Sequence, residues 1–203
     1  MGEIKSNLLF NIIAPIYALF YNGQKNKFNR IINEIKEQFN ILEYEKILDV
    51  GCGTGALCSV LNEKGMDVTG VDPAKNMLEI AKHKLENKNI NFAQGNALRT
   101  LPFEDKSFDI SIASYVSHGL KTNERKKIYA EMSRVTKEFV VLHDYNDNRG
   151  IFTSIIEWLE GGNYFNFIKN GETEMKDCFS DVYRINVDIR ADWYICRPND
   201  NSI

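Results

Sequence analysis

The chain has 203 residues, with 25 Lys and Arg against 28 Asp and Glu, for a formal net charge of -3 at pH 7. That balance leaves no basic footprint for a nucleic acid or an anionic membrane, and the length suits one domain with a substantial core. The four cysteines, Cys52, Cys58, Cys178 and Cys196, make no CxxC pair and no metal-ligand spacing, so reduced thiols in a cytoplasmic protein without a bound metal are expected.

Residues Leu8 to Tyr21 are the most apolar N-terminal stretch, interrupted by Asn11 and Pro15. The stretch is too short for a membrane span and has neither a basic start nor a small-residue cleavage site. Phe28, Ile31, Ile32, Ile35 and Phe39 then recur at the spacing of an amphipathic helix. Mostly helical chain is therefore expected ahead of the first strand.

Lys46-Ile47-Leu48-Asp49-Val50 reads as a strand buried on both faces. Gly51, Gly53 and Gly55 break it at alternate positions, and Leu57, Val60 and Leu61 restart the apolar pattern at helical spacing. Strand, glycine turn and helix is the geometry in which backbone N–H groups at a helix N-terminus meet the polar tail of a nucleotide-type ligand. Gly51-x-Gly53-x-x-Ala56 satisfies a loose dinucleotide fingerprint, with Asp72 at the offset of a ribose-binding acid. Asp49 argues the other way, because a carboxylate beside a pyrophosphate cradle is repulsive. The same carboxylate attracts the cationic sulfonium and ammonium of S-adenosylmethionine.

Asp49-Val50-Gly51-Cys52-Gly53-Thr54-Gly55 resembles the first motif of the class I S-adenosylmethionine-dependent methyltransferases. The resemblance extends over roughly residues 45 to 197. It implies an α/β fold with a Rossmann-like seven-stranded sheet, mostly parallel, closed by an antiparallel C-terminal hairpin, with helices on both faces and a helical N-terminal lid. On that reading residues 1–203 form a single domain, with a cap over 1–44 and a core over 45–197. The resemblance also implies S-adenosyl-L-methionine as cofactor, bound among Asp49, Gly51, Cys52, Gly53, Gly55, Asp72, Pro73, Met77, Asn96, Ala97, Ser114 and Tyr115, with Tyr17 contributed by the lid. Tyr21 and His118 are its candidate catalytic residues, and no metal is implied. Tyr17 and Tyr21 stand four residues apart, on one face of a helix. They either face the cofactor from a mobile lid or fill space beneath a permanently docked helix.

Met66 to Asp72 reads as a second strand ending in an acid that can accept both ribose hydroxyls, or cap the next helix, or do both. Pro73 suits that helix's first turn, and Met77, Leu78, Ala81 and Leu85 form its apolar stripe. Ile90 to Gln94 is a short third strand, after which Asn96 stands where the resembling family often has an acid for the adenine amine. An amide carbonyl can accept from that amine too. Phe108 to Tyr115 is the fourth strand, and its carboxyl end puts Ser114, Tyr115 and His118 on the ligand-binding edge. His118 is either a proton-transfer residue or a structural histidine.

A helix from about Asn123 to Val135 has Ile128, Met132 and Val135 on its apolar face and its charges in solvent. The fifth strand, Lys137 to Leu142, follows without the Pro-Gly-Gly turn common in the family. Asp144 and Tyr145 at its end line an acceptor pocket or cap a helix. Ile151, Phe152, Ile155, Ile156 and Leu159 suggest a helix stopped at Gly161-Gly162, and Tyr164, Phe165, Phe167 and Ile168 form an aromatic patch in irregular chain. Tyr183, Ile185, Val187 and Ile189 alternate with polar residues as a strand, which turns at Ala191-Asp192 and returns through Trp193 to Cys196.

Methyl transfer from a sulfonium asks the protein chiefly to align the acceptor atom and exclude water. The expected acceptor is a small molecule, the expected assembly a monomer or homodimer, and neither nucleic acid nor membrane is a partner. Two other readings stand beside it: a non-catalytic S-adenosylmethionine-binding sensor or partner subunit, and a nicotinamide-dependent oxidoreductase.

Overall fold

The computed structural model describes residues 3–148 and 163–199. The helix expected over Ile151 to Leu159, with its Gly161-Gly162 stop, lies outside the described residues. Seven strands run in the order β3-β2-β1-β4-β5-β7-β6. The chain divides into two compact units, Met1–Asn96 and Ala97–Ile203.

The first unit begins with α1 (Glu3–Ile35), one helix that contains Pro15. A proline inside a helix removes the bond to the carbonyl four residues back, here that of Asn11. Asn76 supplies the substitute: its Nδ2 donates to the Asn11 carbonyl at 2.9 Å, and its backbone N–H donates to Asn11 Oδ1 at 2.9 Å. Ile31, Ile32 and Ile35 are buried as their spacing predicts, and Phe39, beyond the helix end, is buried as well. The outer face of α1 leaves Ile12, Ile16, Leu19 and Phe20 exposed.

β1 (Lys46–Val50), β2 (Asp67–Asp72) and β3 (Asn91–Gln94) are parallel, with Asp49 opposite Gly70 and Asp72 opposite Gln94. α2 (Ala56–Glu63) follows β1, and Leu57, Val60 and Leu61 are buried. α3 (Lys75–Lys82) starts later than the sequence suggests: Ala74 is its N-cap, so Pro73 precedes the first turn. It also ends sooner, and Leu85 drops out of the stripe at 75% exposure. The reason is local, because the Ala81 carbonyl takes bonds from the Lys84 N–H and from Asn87 Nδ2, which turns the chain into a short 3-10 segment.

In the second unit β4 (Phe108–Ser114) pairs in parallel with β5 (Thr136–Tyr145). α4 (Thr122–Val135) runs into β5 with no intervening residue. Thr136 makes this possible, since its Oγ1 donates to the Met132 carbonyl at 2.6 Å and lies 2.7 Å from Ser111 Oγ. Tyr164, Phe165, Phe167 and Ile168, expected in irregular chain, lie instead in α5 (Asn163–Cys178). Tyr164 and Phe167, three residues apart, are both buried, so the aromatic patch is one face of a helix.

β6 (Asp181–Asp188) and β7 (Ala191–Arg197) form the antiparallel hairpin, with β7 between β5 and β6. Their turn is at Ile189 and Arg190, two residues before the expected Ala191-Asp192, because Ala191 and Asp192 already pair with Tyr145 and Asp144. One charge of α4 is not solvated. Arg125 is fully buried and grips Glu174 of α5 through Nε at 2.6 Å and Nη2 at 2.8 Å.

Two stability predictions follow from close packing. A Cβ at Gly70 would lie 2.8 Å from the Phe92 ring and 2.9 Å from Cys52 Sγ, so Gly70→Ala is expected to cost about 1–3 kcal/mol in urea denaturation. In a Phe92→Ala background the same Gly70→Ala substitution should cost less. Glu174→Ala leaves the buried Arg125 without its carboxylate and should cost about 3–5 kcal/mol in the same measurement.

Candidate functional site

The glycine turn has the conformation that its composition calls for. Gly51, Gly53 and Gly55 all have positive φ, at 74°, 52° and 80°, where a side chain is strained. The N–H groups of Gly51 and Cys52 both donate to the Val71 carbonyl, at 2.8 and 3.1 Å, fastening the turn to the end of β2. At Gly53 an added Cβ would meet nothing within 4 Å, whereas at Gly55 it would press on Asn87 Nδ2 and the Phe92 ring, each at 3.0 Å. The middle of the turn is open, and its last glycine is locked by packing.

Two carboxylates flank this turn. Asp49 is 1% exposed, and the Cys58 thiol donates to its Oδ2 at 3.2 Å. Burial, with the nearby Asp72 charge adding, pushes its carboxyl up to about 7. Asp72 Oδ2 accepts from the Gly53 N–H at 2.9 Å, and its Oδ1 accepts from the Ala74 N–H at 2.8 Å. Burial raises Asp72 to about 6, against the pull of those two N–H groups. Asp72 therefore fixes both the turn and the entrance to α3. The Gly95 N–H donates to the Asp72 carbonyl at 3.2 Å, carrying the half-buried Asn96 to the same end of the strands.

Other expected members of the site divide by what surrounds them. Cys52 is buried in the turn, and burial pushes its thiol up to about 11. Pro73 leads into α3, and its carbonyl accepts from Gln94 Nε2 at 3.2 Å. Met77 packs with Ala14 and Ala74 in an apolar cluster against α1. The two lid tyrosines do not share an environment. Tyr17 is 37% exposed, while Tyr21 is 2% exposed with its hydroxyl 3.5 Å from Asn87 Oδ1. Burial pushes the Tyr21 phenol up to about 12, and the Lys84 ammonium lies 4.3 Å from its ring centre. Such a phenol is a poor proton donor or acceptor near neutrality, and its contacts here are those of a residue that anchors α1.

The remaining candidates belong to the second unit. Ala97 is buried, and Ser114 ends β4. Tyr115 follows at φ 56°, a left-handed conformation that is uncommon for a large side chain. Its N–H donates to the His143 carbonyl at 2.8 Å, and its ring lies 5.1 Å from that of Tyr145. His118 occupies a short turn beyond β4, buried, with Nδ1 2.7 Å from Asp144 Oδ1. Asp144 also accepts from the backbone N–H groups of Ser117 (2.9 Å), His118 (3.2 Å) and Tyr145 (2.9 Å).

Asp144 and His118 stand out separately in the sequence. Their pairing across 26 residues carries no local signal. Cys58 was visible only as a cysteine, although it falls one turn into the helix after the glycine loop. Gly70 was an ordinary strand residue until Phe92 lay against it.

Comparison with known proteins decides the family. Residues 48–159, more than half of the chain, match the family model described as a methyltransferase domain. The chain belongs to that family. An uncharacterized methyltransferase of Staphylococcus carnosus is 26% identical over 194 residues, which are 89% of this chain and 91% of the relative. A demethylmenaquinone methyltransferase of Renibacterium salmoninarum is 34% identical over 134 residues, 64% of this chain but only 53% of the relative. The chain thus matches about half the length of that relative.

Among solved structures, a Methanococcus maripaludis protein provisionally named an S-adenosyl-L-methionine-dependent methyltransferase aligns with a TM-score of 0.69 at 17% identity, over 95% of each chain. At that identity the likeness speaks for the fold. The methyltransferase therefore has the class I architecture that its first motif resembled, and the oxidoreductase reading of Gly51-x-Gly53-x-x-Ala56 falls away.

Asp49 gives the methyltransferase a pH signature. The carboxyl is raised from 3.8 to about 7 in the fold, so between those values the native state binds more protons than the unfolded chain. Stability then falls as pH rises through that window. Asp72, raised to about 6, acts in the same direction. Urea melts of the ligand-free protein should show this loss between about pH 4 and pH 7, and Asp49→Asn should flatten it. An equal slope in both proteins would remove Asp49 as the source.

Proposed function

We propose that the methyltransferase binds S-adenosyl-L-methionine at the β1–α2 glycine turn and transfers its methyl group to a small-molecule acceptor. The observation that carries this reading is the buried Asp49 carboxyl, raised to about 7 beside an open glycine turn. A buried carboxylate whose side-chain donor among the described residues is a thiol is poorly compensated, and a cation brought to it relieves that cost. The residues fit such a cofactor. Asp49 would hold its cationic end, Asp72 has lone pairs left for ribose hydroxyls, and the Asn96 amide suits the adenine amine. When bound, the cofactor supplies an electrophilic methyl group with a neutral thioether as leaving group. The chain's own work is then to fix the acceptor and exclude water.

No helix among the described residues is long and apolar enough to cross a membrane, and the net charge of -3 offers nucleic acid no attraction. The charge favours a small acceptor over a nucleic acid, and the Renibacterium relative is named for the methylation of demethylmenaquinone.

Calorimetry should detect binding of S-adenosylhomocysteine and none of NAD. Asp72→Ala, checked as folded by circular dichroism, should weaken that binding at least about tenfold, the loss of one or two charge-assisted hydrogen bonds. An unchanged dissociation constant would contradict the ribose role. S-adenosylhomocysteine binding without turnover on any member of an acceptor panel would favour the non-catalytic sensor.

A further inference from the structure

The second unit contains a proton-handling arrangement that binding of the cofactor does not use. His118 and Asp144 face each other at 2.7 Å, both buried. A carboxylate only accepts, so Nδ1 carries the proton, and in the neutral form of the ring the basic nitrogen is Nε2. Asp144 is itself held by three backbone N–H groups, so the orientation of the imidazole is fixed rather than adjustable. A histidine held in one tautomer by a buried carboxylate is the arrangement of a general base.

Its surroundings are aromatic. Tyr145 stands edge-on at 4.7 Å between ring centres, with Tyr164 at 6.3 Å and Tyr115 at 6.4 Å. Tyr164 is buried beneath, while Tyr115 and Tyr145 are only half-buried and give the cluster its accessible side. Both lie at the carboxyl ends of parallel strands, where ligands of open α/β sheets bind. Tyr115 holds its left-handed φ of 56° at this point, a strain characteristic of functional sites.

From this geometry we propose that the acceptor is a phenol or enol on a flat ring, and that His118 removes its hydroxyl proton while Asp144 acts as the positioning residue. The proposal rests on the methyltransferase reading above. Aromatic walls favour a planar ring by offset and edge-to-face contact. A carboxylate acceptor needs no base and would be repelled by Asp144. A free alkoxide lies far beyond the reach of imidazole, whereas a phenolate can form before the methyl transfer. In the step, the O–H bond breaks, its electron pair stays on oxygen, and a new N–H bond forms at Nε2. The products are a phenolate nucleophile and an imidazolium facing the Asp144 carboxylate.

The experiment titrates the full chain with 4-nitrophenol, with and without S-adenosylhomocysteine, about one pH unit below the probe's own pKa, where most free probe is protonated and colourless. Bound to the wild type, the probe should turn yellow as the phenolate. His118→Asn, whose amide can still donate to Asp144, should bind the probe with an affinity of the same order and leave it colourless. Asp144→Asn should give a smaller yellow fraction than the wild type at equal occupancy, a change that a merely structural role would not produce. A colourless bound probe in the wild type, no binding at millimolar probe, or equal colour in wild type and His118→Asn would each overturn the proposal. Calorimetry with S-adenosylhomocysteine on the same samples reads the cofactor separately. Probe ionisation without cofactor binding contradicts the methyltransferase reading alone, and cofactor binding without ionisation contradicts the dyad alone.

Discussion

Asp49 carries a carboxyl into a site almost wholly withdrawn from solvent, where the Cys58 thiol is a weak donor to it. Desolvation of that group is the constraint around which the first unit is built. β1 must end there for the turn to begin, and the turn needs three glycines because its backbone passes through left-handed conformations at Gly51, Gly53 and Gly55. Gly70 stands opposite Asp49 on β2 and leaves room for Phe92 and Cys52. Asp72 closes the arrangement by accepting from Gly53 and Ala74 together. A site assembled in this way is negative and open at its middle, and it suits a ligand with a cationic end and neutral hydroxyls.

The second unit treats a buried carboxylate differently. Asp144 collects three backbone N–H groups and an imidazole, so its charge is compensated without a ligand. Nearby, Arg125 and Glu174 join α4 to α5 as a buried pair, and Arg125 Nη1 also donates to the Leu120 carbonyl, just past the turn that carries His118. Asn163 Nδ2 holds the Gly119 carbonyl of that turn at 3.1 Å. These bonds fix the backbone that presents His118. One carboxylate is left to be neutralised, and the other is already spent on orienting a side chain.

What was legible in the sequence is what short-range physics writes there. Alternating glycines, branched strands and the periodicity of Ile31, Ile32 and Ile35 each reflect a local backbone requirement, and the structure meets them. Pro15 illustrates the opposite case: its effect depends on Asn76, which is 61 positions away, so a stretch that looked interrupted is one helix. Leu85 left its stripe because Asn87 captured the Ala81 carbonyl. Tyr164 and Phe167 read as loop aromatics because Gly171 and the Asn residues around them weaken helical periodicity. The different surroundings of Tyr17 and Tyr21 were hidden for a similar reason, since helical spacing gives a face but not what the face packs against.

The central claim is that Asp49 awaits a cation, and carbon-13 NMR of the aspartate carboxyls tests it directly, with Asp49→Asn to assign the signal. In the ligand-free protein the Asp49 carboxyl should titrate near 7, as its burial dictates. With S-adenosylmethionine at saturation, the titration should move clearly downward, because a nearby positive charge favours the carboxylate. A carboxyl that titrates at the same pH with and without saturating S-adenosylmethionine would contradict the account.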